Sequence, residues 1–150
     1  MRGIKIVCVG RIKESYFTDG IAAYAKEINK KYPFAIIECQ DEPTPDGASA
    51  AIENQIRRIE GERILSKIAD DDYVIALCID GKGYSTDQWK RYLARTMPGI
   101  RGSLVLVIGG SLGLAPEVVK RANEKLSFSA MTFPHQLMRM ILCEQLAKIL

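Results

Sequence analysis

A chain of 150 residues, 47% hydrophobic and 26% charged, is long enough to bury a real core and has the balance of a soluble globular domain. Its net charge of +3 permits a polyanionic partner but is lower than a dedicated DNA-binding module carries. Four cysteines without a C-x-x-C pair, one histidine, no leader and no membrane-length apolar run predict a cytoplasmic protein with no metal site and no membrane partner.

Ile4–Val9 is an apolar run interrupted by Lys5 and ended by Gly10, and reads as a first strand. Residues 18–31 have helical spacing, with Ile21, Tyr24, Ala25 and Ile28 on one face. Phe34–Cys39 follows Pro33 as a second strand, and residues 40–49, rich in Pro, Asp and Gly, read as a mobile loop. Residues 50–68 form a long amphipathic helix with an apolar stripe of Ile52, Ile56, Ile59, Ile64 and Ile68. Its other face carries Arg57, Arg58, Glu60, Glu62, Arg63 and Lys67.

Residues 73–79 and Leu104–Ile108 are apolar without alternation, which suits parallel strands covered on both faces. Between them Ser85 and Gln88 form a capping-box pair that opens a helix to about Met97. Pro116 fits the first turn of a helix reaching about Lys125. Residues 126–129 are a short fifth strand, and residues 136–150 form a final helix beyond Pro134. Strands and helices alternating in this way predict one three-layer α/β domain over residues 1–150, with a mainly parallel sheet. Ligands of such sheets sit at the carboxyl ends of the strands.

Three glycines, Gly109, Gly110 and Gly113, follow the fourth strand. Their spacing fits neither the dinucleotide fingerprint nor the P-loop. Taken alone they read as a helix-entry turn. The segment after them, LSFSAMTFPH at 126–135, is a very short strand, then a Thr-Phe-Pro-His turn, then a helix apolar on most sides.

Glycine-rich turn, helix, short Ser/Thr strand, Pro turn and terminal helix together resemble the C-terminal half of the SPOUT, or α/β-knot, methyltransferases. The likeness is closer still to the bacterial large-subunit rRNA pseudouridine N3-methyltransferase family. It is carried by IGGS at 108–111, LSFS at 126–129, MTFPH at 131–135 and Arg139, with VGRIKE at 9–14 and EGERIL at 60–65, over essentially the whole chain.

The resemblance implies a C-terminal trefoil knot, one of the rare exceptions to unknotted chains, with the final helix passing through the loop at 108–115. It implies S-adenosylmethionine as methyl donor, N3 of a pseudouridine in 23S rRNA as acceptor, presented as RNA or assembled ribosome, and a homodimer. Leu77, Gly109, Phe128, Ser129, Ala130, Met131, Thr132 and Phe133 would form the donor pocket, with glycine at 109 letting the main chain approach the ligand.

His135 and Arg139, four apart on the last helix, are the candidates for positioning the nucleotide and favouring loss of its N3 proton. His135 reads equally as a helix-start residue that caps or packs, and Arg139 as a surface or interface ion-pair partner. Arg11 and Lys13 on the ligand edge are the candidate RNA contacts. Arg57, Arg58 and Arg63 are interleaved with acids and read as a solvated face. Trp89 reads as core, and Tyr84 as a stacking platform or core. The last helix offers more apolar surface than one stripe needs, which asks for a second partner.

The chain departs from the family pattern after Leu146, where no Tyr-Arg-Ala stretch or aromatic-basic tail follows. The expectation of a missing tail carries an alternative reading, a catalytically impaired SPOUT-fold protein that binds RNA or the ribosome.

Overall fold

Five runs rich in branched apolar residues lie side by side as parallel strands in the computed structural model, which describes residues 1–150. They are β1 (Ile4–Val9), β2 (Phe34–Cys39), β3 (Tyr73–Gly83), β4 (Leu104–Ile108) and β5 (Glu124–Ser127), in the order β2-β1-β4-β3-β5. The helices are α1 (Ser15–Asn29), α2 (Ala50–Leu65), α3 (Thr86–Thr96), α4 (Pro116–Arg121) and α5 (His135–Ile149). A 3₁₀ turn, Met97–Gly99, follows α3.

Successive side chains of a strand point to opposite faces, and both faces here are apolar. Ile4, Ile6 and Cys8 of β1, with Leu104, Leu106 and Ile108 of β4, pack with α1, α3 and α5. Val7, Val9, Val105 and Val107 pack on the other face with Ile64 of α2 and Val118 of α4. The result is the expected three-layer α/β arrangement, and the continuous apolar run of β4 is explained by burial on both sides. Cys8, Cys39 and Cys143 are buried among these residues, and burial pushes the Cys8 and Cys143 thiols up to about 12. Cys78 is half-buried.

The Ser85–Gln88 capping box forms as expected, with Ser85 Oγ accepting from the Gln88 amide at 3.1 Å and Gln88 Oε1 from the Ser85 amide at 2.9 Å. Trp89 is buried, and Phe128 meets its ring edge-on at 6.4 Å. Tyr84 is half-buried, with Lys82 over its ring.

Several boundaries differ from the expected ones. α1 ends at Asn29 and not at 31, α2 at Leu65 and not at 68, and β5 at Ser127 and not at 129. Four others differ for a local reason. α1 starts at Ser15, because the turn after Gly10 is short. α4 ends at Arg121, because Asn123 is already tied to β3: its amide donates to the Val74 carbonyl at 2.7 Å and its Oδ1 accepts the Val74 amide at 2.8 Å. β5 therefore begins at Glu124 rather than at 126. β3 continues past residue 79 to Gly83, because residues 78–81 bulge outward and Leu126 pairs first with Leu77 and then with Lys82.

The buried row of α2 also differs from the expected stripe. It runs Ile56, Glu60, Gly61 and Ile64, while Ile52 is exposed. The cause is close packing of α2 against α4, where Gly61 lies beside Ala115 and Val118. Glu60, expected on the solvated face, is thereby carried inside. No helix is long and apolar enough to cross a membrane, and no group of three His, Cys, Asp or Glu side chains is placed to hold a metal ion.

Candidate functional site

A cavity of about 550 Å³ opens at the carboxyl ends of β3, β4 and β5, within the roughly 300–1,000 Å³ of small-molecule sites. Three segments wall it. Leu77, Cys78 and Ile79 come from β3, Ile108 ends β4 and residues 109–114 follow it, and Leu126 of β5 is followed by Phe128, Ser129 and residues 131–134, with His135 and Met138 on α5. Leu77, Leu126 and Phe128 supply apolar walls, while the two turns supply main-chain donors and acceptors.

Each turn is built by its own short-range bonds. In the glycine turn the Gly113 amide donates to the Gly110 carbonyl at 3.0 Å. In the second turn Ser127 Oγ donates to the Ser129 carbonyl at 3.1 Å, and Ser129 Oγ accepts the Met131 amide at 2.9 Å.

Seven of the eight residues expected at the donor pocket line this cavity. Ala130, exposed between them, does not. The structure adds a reason for Gly109 that does not involve a ligand. A Cβ there would stand 2.8 Å from the Gly113 carbonyl carbon, 3.0 Å from its oxygen and 3.1 Å from the Leu114 nitrogen. Glycine at 109 is required by the turn folding back on itself, before any ligand is considered.

His135 opens α5 and lines the cavity. Its pKa is held below the ordinary histidine value, first by burial and then by Arg139, with Asp41 opposing, which favours the neutral ring. Arg139 does not join it at the cavity. It is 1% exposed, and its guanidinium bonds Glu38 and the Val9 and Gly10 carbonyls. Its guanidinium reaches toward the end of β1 instead, so it is an ion-pair partner, as the alternative had it, but a buried one and not one at the surface. Arg11 and Lys13 are exposed on the turn after β1, and neither forms an ion pair. They stand outside the cavity wall.

Two residues that support the site were read as surface in the sequence. Arg57 Nη1 donates to the Leu112 carbonyl at 3.2 Å and so braces the glycine turn from α2. Glu60 is 5% exposed and sits under that turn: a Cβ on Gly110 would lie 3.3 Å from its Oε1. Its Oε2 accepts the Glu42 amide at 3.0 Å, and Arg63 pairs with the Glu42 carboxylate and donates to the Gln40 carbonyl at 2.9 Å. α2 thus grips the loop at 40–49 and the glycine turn together. The signal available in the sequence was the i, i+4 row Ile56–Glu60–Ile64, which places Glu60 between two core residues.

Burial raises the Glu60 pKa above the ordinary carboxylate value, opposed by the Glu42 amide. A carboxyl whose folded value is raised favours the folded state when protonated. That contribution is lost as pH rises through the interval between the ordinary and the raised value. Glu60→Gln keeps an acceptor for the Glu42 amide without the charge. It is expected to melt no lower than the parent at pH 7 and to flatten the pH dependence in that interval, whereas Glu60→Ala loses about 1–3 kcal/mol. Calorimetry from pH 4 to 8 checks this, and a Gln variant clearly less stable at pH 7 would show that the charge itself is needed.

The family model described as "Predicted SPOUT methyltransferase" matches residues 1–149. The chain is 48% identical to "Ribosomal RNA large subunit methyltransferase H" of Streptococcus thermophilus (strain CNRZ 1066), over 143 residues that cover 95% of this chain and 90% of that relative. It is 49% identical, with the same coverage, to the protein of that name from Streptococcus pneumoniae (strain CGSP14). Alignment over nine-tenths of the relatives' length does not support the expected loss of a functional tail.

Proposed function

The chain belongs to the SPOUT methyltransferase family, and from that premise we propose that it transfers a methyl group from S-adenosylmethionine to N3 of a pseudouridine in large-subunit (23S) ribosomal RNA. The observation that carries the reading is the cavity at the strand ends, walled by the glycine turn, Phe128, Ser129 and residues 131–135, with the His135 imidazole among its lining. The relatives' name supports an rRNA substrate. We take residues 1–150 as one such domain working in the cytoplasm.

The cavity residues fit the donor. Leu77, Leu126 and Phe128 offer apolar walls for a purine, and the main chain of the two turns offers polar edges for its hydrogen bonds. When bound, S-adenosylmethionine supplies the electrophilic methyl group of a sulfonium. The protein's own task is to align the acceptor and assist loss of the N3 proton. His135 in the cavity lining, with its neutral form favoured, is the group to accept a hydrogen bond from N3–H or take its proton. Arg11 and Lys13, unpaired on the adjoining turn, meet RNA phosphates.

Transfer of labelled methyl from S-adenosylmethionine to ribosomes tests the function, using 23S rRNA carrying uridine in place of pseudouridine as the control. Labelling that ignores this replacement, or no labelling at all, overturns the reading. Because protonated His135 cannot accept a proton, the rate is expected to fall on the acid side only, with a midpoint below the ordinary histidine value of about 6.5. A rate independent of pH between 5 and 8 removes His135 from that role.

The proposal includes the knot, with α5 threaded through the loop at 108–115. A crystal structure with the chain after Ser129 outside that loop overturns it. It also includes a homodimer. Leu137, Met138 and Ile141 stay part-exposed on α5, and Ile79 and Met131 are exposed beside the cavity. Sedimentation equilibrium is expected to give a dimer, and a monomer persisting at high micromolar concentration rules it out.

A further inference from the structure

A buried guanidinium joins the last helix to the end of the first strand. Arg139 Nη1 donates to Glu38 Oε2 at 2.6 Å, and Nη2 donates to the Val9 and Gly10 carbonyls at 3.3 Å each. The same Glu38 oxygen accepts the Ile12 amide at 3.3 Å, so one carboxylate holds both the guanidinium and the peptide between Arg11 and Lys13. Gly10 lies against the imidazole: a Cβ built there would stand 3.8 Å from His135 Nε2.

Stability alone does not explain an arginine here. Burying a charge is costly, and an apolar side chain of similar volume often replaces a buried ion pair without loss. The Arg139 Nε even lacks a hydrogen-bond partner. What an apolar residue cannot do is hold two carbonyls and a carboxylate from two strands in one plane.

We propose that Arg139 is a positioning residue that locks the Gly10–Lys13 turn to the His135 end of α5, so that imidazole and phosphate-binding cations meet one nucleotide as a rigid unit. The proposal rests on the function given above and adds how its RNA side is organised. It also explains why Arg139 touches nothing in the cavity while standing one helical turn from His135.

His135 is the only histidine in the chain, so its imidazole signals in an NMR spectrum are unambiguous. The charged groups facing it are Arg139 from α5 and Asp41 from the loop after β2, with Glu38 paired to Arg139. Three variants divide the possibilities. Arg139→Lys keeps the charge and loses the planar grip. Arg139→Met loses both. Glu38→Gln, at a side chain 38% exposed, keeps an acceptor and removes the pairing charge.

In Arg139→Lys the transfer kcat is expected to fall about 100-fold, as displacement of a positioned group by about 1 Å does, with donor affinity within twofold of the parent. Its His135 resonances shift, measured without donor or RNA. In Arg139→Met the imidazole titrates closer to the ordinary value, because the repelling cation is gone. If Arg139→Lys fails to fold, Glu38→Gln gives the same reading, with an expected drop in kcat of roughly tenfold and a displaced His135 signal.

Unchanged His135 signals in folded Arg139→Lys or Glu38→Gln overturn the lock. Equal losses of donor affinity and kcat overturn it as well, since Arg139 would then support the fold as a whole. A parent protein that binds no S-adenosylmethionine would sink the proposed function instead, and the NMR measurement would still decide the lock.

Discussion

Gly109→Ala is expected to weaken S-adenosylmethionine binding nearly as much as Gly109→Val, by roughly 100-fold or about 2.7 kcal/mol. A glycine kept for ligand approach would tolerate a methyl group better than a branched side chain. Here the first carbon alone is already too close, at 2.8 Å from the Gly113 carbonyl carbon and 3.1 Å from the Leu114 nitrogen. Those atoms are main chain and cannot turn aside, so residues 109–114 must move as a body. Because residues 108–114 line the cavity, that movement takes the main-chain groups on this wall out of register with the donor.

The fold itself tolerates the change. β4 ends at Ile108, before the turn, and its core contacts are untouched. Overpacking of this kind costs about 1–3 kcal/mol. Isothermal titration and a melting curve on both variants decide the matter. An alanine variant that binds like the parent while valine abolishes binding would restore the ligand-approach explanation.

The sheet was legible because its signals are local. β4 announces itself as an unbroken apolar run and β1 as one broken only by Lys5, and the Ser85–Gln88 box marks a helix start within four residues. The cavity lining was legible for a related reason, since turns at strand ends have their own residue chemistry. What failed to show were the charged residues turned inward. Arg139 looks like any helix-surface arginine until Glu38, 101 positions earlier in the chain, is brought beside it. Glu60 sits among arginines and glutamates in the sequence. Only the approach of α2 to α4 reveals that its side chain lies inside, beneath a turn some fifty residues downstream. Partners so distant leave no periodic trace. The bulge in β3 was hidden differently: Asp80, Gly81 and Gly83 are turn-forming residues, and a strand that loops out and then resumes pairing reads as a strand that has ended.

Gly81→Ala is expected to lower the melting temperature by roughly 3–10 °C and to reduce donor affinity at least about tenfold. The bulge brings Gly81 directly over β5. A Cβ there would lie 2.8 Å from the carbonyl carbons of Lys125 and Leu126 and 2.9 Å from the Leu126 nitrogen. Both sides of that collision are main chain, so relief requires the bulge to lift off the strand. β5 is a four-residue edge strand, held on one side only by β3. Lifting the bulge breaks the second pairing, Lys82 with Leu126 and Gly83 with Ser127, and leaves only the first. Cys78 and Ile79 belong to the same bulge and wall the cavity, as do Leu126 and Phe128 beyond the strand. One added methyl group therefore displaces two walls of the donor site together. Gly83→Ala supplies the control. It lies on the same strand two residues away, and nothing comes within 4 Å of its Cβ position. The control should retain the parent's melting temperature within 2 °C and bind the donor unchanged. Equal behaviour of the two variants, in calorimetry and in titration, would show that the bulge yields freely and does not set the cavity wall.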